Sequence, residues 1–182
     1  MTRGESPTAV ALGDDWVRLP PIVQRLHEPC TAVGSFRIER GTGSIVTVLC
    51  WLSGLPRAGT DVPTRVEVRQ GPDAFTWARR FGDDVLVTRQ RAIARGTIAE
   101  RFGMIECSFR PEASGQGLDY QQTGASVCVG SLRLPLPIAL WPRVEGRTRG
   151  LGDTMDVEVV VSAPLVGRLL RYHGAVRPEP IG

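Results

Sequence analysis

The stretch DTMDVEVVV alternates so regularly that an extended strand is its natural form. Met155, Val157, Val159 and Val161 fall on one side, and Asp156 and Glu158 on the other. The same period returns along most of the chain. In TAVGSFRIERG, Phe36 and Ile38 oppose Arg37 and Glu39, and in TRVEVRQ, Val66 and Val68 share a face. AFTWARRF puts Phe75, Trp77, Arg79 and Phe81 together, and MIECSFR does the same for Ile105, Cys107 and Phe109. VLVTRQ, GTIAERF, GLDYQQT, SVCVGSLRL, PRVEGRT and RLLRYHGAV complete the series. Short strands at roughly 8–12-residue spacing, parted by Gly, Pro and Asp turns, predict an antiparallel meander that closes on itself. The expected fold is mainly β, a calycin-like antiparallel β-barrel with one or two short helices covering an end. No strand–helix–strand rhythm supports a doubly wound sheet.

Two segments depart from the strand period. In LPPIVQRLHEP, Pro20 and Pro21 suit a helix start, Ile22, Val23 and Leu26 form an apolar stripe, and Pro29 stops the turn. In GTGSIVTVLCWLSGLPRAG, Ile45, Leu49 and Leu52 follow helical spacing behind a candidate N-cap at Ser44. This second helix has two readings: it packs across a barrel mouth, the reading adopted, or it rests on a membrane surface with Trp51 and Arg57 beside it. Residues 1–14 read as a flexible lead-in, and 15–182 as a single barrel domain.

Composition removes whole classes of chemistry. All 22 basic residues are arginine. Schiff-base catalysis, a pyridoxal-phosphate aldimine and a P-loop each need a lysine, so none is available. A net charge of +3, with arginines dispersed among acids, gives no nucleic-acid footprint. The longest apolar run, SIVTVLCWLSGL, is too short to span a bilayer, and the first residues lack a secretory apolar core. A cytoplasmic protein without stable membrane insertion is expected. Cys30, Cys50, Cys107 and Cys128 are widely spaced and read as buried, reduced thiols. Two distant histidines without HxH or HExxH spacing give no metal signature, and the Gly-rich pieces GTG, GQG and GLG lack a dinucleotide fingerprint. No cofactor is expected.

The candidate chemistry lies in RGTIAERFGMIE. Ile98, Glu100 and Phe102 share one face, so a carboxylate stands between two large apolar residues. Burying it costs several kcal/mol unless it is paired. Arg79 stands in the same situation between Trp77 and Phe81, so the two can meet inside a barrel as an ion pair, structural or catalytic. A one-residue slip in register would exchange the candidates for Arg80 and Arg101. His27, near a helix end, suits an imidazolium facing terminal carbonyls. His173 follows Tyr172 in the last strand, and either histidine is a candidate base.

Several short motifs also fall into a familiar order: LPPIVQRLH, RGTG, LSGLPRAGTDVP, TWARRF, AERFG, LPLP and PLVGRLLRYHG. Together they resemble the bacterial domain-of-unknown-function family 4166, which occurs alone or behind reductase domains similar to saccharopine dehydrogenase. The resemblance implies no established activity. It places Trp77, Arg79, Arg80, Phe81, Glu100, Arg101, Phe102, Tyr172 and Gly174 in the family pattern. His173 stands where the family usually carries arginine, and RTRGLGD departs from its acid-rich segment.

Two functions are consistent with these observations. In one, a cofactor-independent enzyme holds a hydrophobic small molecule in the barrel and promotes isomerisation, dehydration or cyclisation, as in natural-product biosynthesis. Glu100, Arg79, Arg80, Tyr172 and His173 are the candidate catalytic residues, and Phe75, Trp77, Phe81, Ile98, Phe102, Met155 and Trp51 the candidate pocket. In the other, the barrel is a non-catalytic lipid- or metabolite-binding module.

Overall fold

Strand alternation does build a barrel. The computed structural model describes residues 5–94 and 96–179. An N-terminal segment carries two short helices, α1 (Pro7–Leu12) and α2 (Pro21–Leu26). After them come β1 (Cys30–Arg40), α3 (Ser44–Leu52), β2 (Gly59–Gln70), β3 (Phe75–Phe81), β4 (Asp84–Ala94) and β5 (Thr97–Phe102). The chain continues through β6 (Ile105–Ser114), β7 (Gly117–Val129), β8 (Leu132–Pro135), β9 (Arg143–Leu151), β10 (Thr154–Ala163) and β11 (Gly167–Pro178). Ten strands form a closed antiparallel ring in the order β6-β5-β4-β3-β2-β1-β11-β10-β9-β7, with β7 returning to β6. Closure leaves the ring without a free edge.

The closing seam is irregular. β7 pairs with β6 along its length, but on its other side only Gly117–Tyr120 pair with β9, while Ser126–Val129 pair with β8. Between these two ladders the side chain of Gln122 takes the place of a peptide. Its Nε2 donates to the Pro142 carbonyl at 2.9 Å, and its Oε1 accepts from the Val144 N–H at 2.9 Å. Two expected strands, GLDYQQT and SVCV, are therefore one long strand that changes partner midway.

Inward side chains follow the alternation. Phe36, Phe81 and Tyr172 meet at ring-centroid separations of 5.2–5.8 Å, in edge-on and tilted arrangements that aromatic quadrupoles favour. At the end of the barrel holding the β4–β5 turn, α1 and α2 form a plug. Leu19, Ile22, Val23 and Leu26 join the main core, and Gly96 N–H donates to the Ala11 carbonyl. Gly150 lies where a Cβ would meet Pro20 at 2.6 Å, so the plug sits directly on β9. α3 covers the opposite end, where Cys50 Sγ contacts the Leu169 carbonyl at 3.5 Å.

Three expectations need correction here. Residues 7–12 belong to a buried helix rather than a mobile lead-in: the Ser6 hydroxyl accepts from Ala9 N–H at 3.1 Å, and Pro7, Thr8 and Ala11 are buried. Residues 1–4 of the lead-in lie outside the described residues. Helices cover both ends, not one. The buried stripe of α3 is Val46 and Cys50, with the expected Leu49 half-buried against the core beside them, while Ile45 and Leu52 face outward. Both stripes satisfy helical spacing in a segment that is apolar all round, so the phase was set by what lies beneath.

Candidate functional site: a polar cluster inside the barrel

Along β3 the inward face runs Phe75, Trp77, Arg79, Phe81 from the plugged end toward α3, and along β5 it runs Ile98, Glu100, Phe102. Antiparallel pairing through β4 sets Arg79 opposite Leu86 and Glu100 opposite Gln90. The two charged side chains then meet across the barrel interior. Arg79 Nη2 donates to Glu100 Oε1 at 3.3 Å, and Nη1 donates to Thr88 Oγ1 at 2.9 Å. The guanidinium carbon also lies 5.2 Å from the centre of the Trp77 ring, within cation–π range. Burial opposes the charge on Arg79, but neighbouring Tyr172 and Glu100 outweigh it and raise its pKa.

The pair lines an interior cavity of about 240 Å³. Its walls near α3 are apolar, including Phe36, Phe81, Leu86, Phe102 and Val159, and Ser53 and Leu55 follow α3 into the lining. Toward the plug the polar groups His27, Gln90, Glu100 and Tyr120 join Leu26, Met155 and Val176 in the lining. His27 Nδ1 lies 2.7 Å from the Val23 carbonyl, which can only accept, so Nδ1 carries the proton. Nε2 is then an acceptor, and the Tyr120 hydroxyl donates to it at 3.0 Å. Burial lowers the His27 pKa to about 4, against the Val23 hydrogen bond, so the ring is neutral. It is not the imidazolium that its place at a helix end suggested. Burial, with Glu100 adding to it, keeps the Tyr120 phenol well above its usual range, and burial raises Tyr172 likewise. The Thr8 hydroxyl donates to Gln90 Oε1 at 3.3 Å, tying α1 into the same cluster.

Of the residues singled out in the sequence, Trp77, Arg79, Phe81, Glu100, Phe102, Met155 and Tyr172 all line the cavity. Phe75 and Ile98 are buried but pack elsewhere: Phe75 with Val68 and Trp77, and Ile98 with Ala11, Cys107 and Phe109. Arg80 and His173 alternate with inward residues and stand on the outer face, as does Arg101, which donates to the Gly103 carbonyl at 3.0 Å. Trp51 is on the outer side of α3 and 76% exposed, so it contributes nothing to the lining. The indole N–H of Trp77 is buried with no hydrogen-bond partner among the described residues, a state in which few buried polar groups are found.

Sequence reasoning missed Tyr120, Gln90, Thr88 and Thr8. Tyr120 alternates poorly with its neighbours in LDYQQT, and a hydroxyl or amide on an inward position gives no signal of its own. It also singled out Glu100 and passed over Glu106, whose side chain is only 6% exposed. Glu106 faces away from the cavity between Arg91 at 3.0 Å and Arg133 at 3.1 Å, which join β4 and β8 to β6. No three His, Cys, Asp or Glu among the described residues gather as a metal site would require.

The family profile for a domain of unknown function, DUF4166, matches residues 19–176. The chain belongs to the DUF4166 family. The match begins at Leu19, ahead of α2, and runs to Val176 in β11, so the DUF4166 region contains His27 and all of the ring but the last two residues of β11. No curated protein matches the sequence. No helix among the described residues of this DUF4166 chain is long and apolar enough to cross a membrane.

Proposed function

We propose that this DUF4166 barrel is a cofactor-independent enzyme that binds a hydrophobic small molecule bearing a carbonyl or hydroxyl oxygen and moves a proton on it, in an isomerisation, dehydration or cyclisation. One observation carries the reading: an apolar cavity of about 240 Å³ with the Arg79–Glu100 pair in its wall and the neutral His27–Tyr120 pair beside it. Cavities of this kind, with a few convergent polar groups, are the usual form of a small-molecule site.

The groups divide naturally by role. The Glu100 carboxylate is the proton acceptor, withdrawing a proton from the carbon α to a ligand carbonyl while the C–H electron pair forms the C=C bond of an enolate and the carbonyl π pair moves onto oxygen. Arg79 donates to the oxygen as its negative charge develops, where low surrounding polarity strengthens the interaction. The same proton, returned to a different carbon or passed to a departing hydroxyl, completes an isomerisation or a dehydration without net oxidation. Tyr172, held protonated, supplies a further O–H donor on the wall, while the single O–H of Tyr120 is committed to His27 Nε2. The apolar side chains fix one conformer of the ligand and exclude water.

A non-catalytic lipid- or metabolite-binding module is the second reading. It is favoured by the way Arg79 is already satisfied by Glu100, Thr88 and the Trp77 ring. Mass spectrometry of solvent-extracted protein, against an identically purified control, identifies the ligand class. Turnover of that compound by the wild type, reduced on the order of 10²–10⁴-fold in Glu100→Gln, is the enzymatic outcome. Stoichiometric binding with no turnover by either form is the outcome of the second reading and overturns the first.

A further inference from the structure

We infer that the cavity takes uncharged, oxygen-bearing apolar molecules and turns away carboxylic acids of the same size, Glu100 being the residue that makes the choice. The inference rests on the proposed small-molecule reading and names its ligand class. Charge inside the barrel is balanced before any ligand enters. Among the described residues, Arg79 and Glu100, joined at 3.3 Å, are the cation and the anion that face the cavity. Arg147 also borders it, but its side chain turns out to Asp119 at 3.1 Å and is 60% exposed. The remaining titratable groups of the lining are neutral. Burial lowers His27 to about 4, and it raises Cys30 to about 11, Cys107 to about 12 and both tyrosines above their usual range.

An ionised carboxylate brought into this space is a second anion on a single guanidinium. It meets Glu100 at close range and leaves a net negative charge among Phe36, Phe81, Leu86 and Phe102, where nothing pairs with it. Glu100 thus repels what Arg79 alone would attract. A ketone, aldehyde or alcohol brings no charge and needs only a donor, and donors are what the wall still offers. The guanidinium has N–H groups beyond those given to Glu100 and Thr88. Tyr172 is only 4% exposed and borders the cavity, and its hydroxyl makes no hydrogen bond among the described residues. Its ring is held between Phe36, at 5.7 Å, and Phe81, at 5.2 Å, so the hydroxyl keeps its place near the pair, whose charges both act on it. One neutral ligand oxygen, shared by the Tyr172 O–H and the Arg79 guanidinium, completes the cluster.

The test is isothermal titration calorimetry of the purified chain near neutral pH with 2-decanone and with sodium decanoate, matched in chain length and small enough for a cavity of about 240 Å³. The wild type is expected to bind the ketone about tenfold or more tighter than the carboxylate. Glu100→Gln leaves Arg79 an unpaired cation, so its affinity for decanoate is expected to rise about tenfold, with less than about a threefold change toward the ketone. Decanoate is also expected to raise the melting temperature of Glu100→Gln and not that of the wild type, a readout that a merely weakened fold would not give. Tyr172→Phe keeps the ring and is expected to weaken ketone binding roughly fivefold to tenfold. Wild-type protein that binds decanoate as tightly as the ketone overturns the inference and leaves the small-molecule reading standing. So does a Glu100→Gln variant, folded by circular dichroism, that keeps the wild-type preference. Binding of neither compound by the wild type overturns both. The wild-type comparison needs no variant, so it decides the matter even where Glu100→Gln does not fold.

Discussion

His27 and Tyr120, 93 residues apart, share a hydrogen bond of 3.0 Å inside the barrel, and the other nitrogen of His27 is held by Val23 at 2.7 Å. The imidazole is thus fixed in one tautomer by the end of α2 and presented as an acceptor to a strand on the closing seam. It links the plug to the cavity wall. The ring also packs edge-on against Trp77, at 5.4 Å between centroids.

This arrangement makes stability depend on pH in a defined window. The folded pKa of about 4 lies below the ordinary value of 6.5, so the unfolded state binds a proton that the native state refuses. Stability is therefore unaffected by His27 above about pH 6.5, and falls progressively as pH drops from there toward 4. The full loss is on the order of 3 kcal/mol. Denaturant melts of the wild type and His27→Gln between pH 7 and pH 4 measure it. Equal slopes for the two proteins would show that His27 is not the source.

Breaking the Arg79–Glu100 pair from one side leaves a mostly buried charge facing the cavity. Glu100→Gln is expected to lower stability by on the order of 3 kcal/mol, because Arg79 keeps Thr88 and the Trp77 face but loses its counter-charge. Replacing both residues by methionine removes the unpaired charge as well and is expected to recover most of that loss. A thermal-melt cycle over the wild type, Arg79→Met, Glu100→Met and the double variant reports the coupling. Additive effects would mean that the two side chains do not interact.

The thiols are expected to be inert in the native state. Burial pushes Cys30 up to about 11 and Cys107 up to about 12, the latter reinforced by Glu100 and Glu106, and Cys50 is fully buried. A thiol-specific reagent at pH 8 is expected to label none of these three within the time needed to label all four cysteines of the denatured chain. Rapid native labelling of Cys107, read by peptide mass mapping, would contradict the packing described around it.

Gln122 holds the seam where β7 changes partner. Gln122→Ala leaves the Val144 N–H and the Pro142 carbonyl without their partner, an expected loss of roughly 1–3 kcal/mol. Hydrogen exchange locates the effect: Val144 is expected to lose protection, while the β2–β3 ladder, across the barrel, keeps its own. Unchanged exchange at Val144 would remove the bridging role.

The difference between residues read correctly and residues missed follows the range of the forces involved. Trp77, Arg79, Phe81, Glu100 and Phe102 were legible because a strand has a period of two and apolar neighbours mark the inward side. The same rule put Arg80 and His173 outside, once the register of β3 and β11 was known. α3 was legible as a helix but not in its phase, because an all-apolar segment carries no mark of which side is covered. Tyr120, Gln90 and Thr8 were illegible for a different reason. Their roles are defined by partners from α1, α2 and β4, and no local pattern encodes a partner.

The sequence by itself therefore determined the strands, the closed antiparallel arrangement and the presence of a carboxylate and a guanidinium on the inner wall. These follow from alternation and turn chemistry, which are properties of neighbouring residues. Only the tertiary structure decided that α1 and α2 plug the barrel, that His27 is neutral and bonded to Tyr120, and that Trp51 faces outward. Protonation state and exposure depend on what distant segments place around a group, since desolvation and hydrogen bonding act through space rather than along the chain.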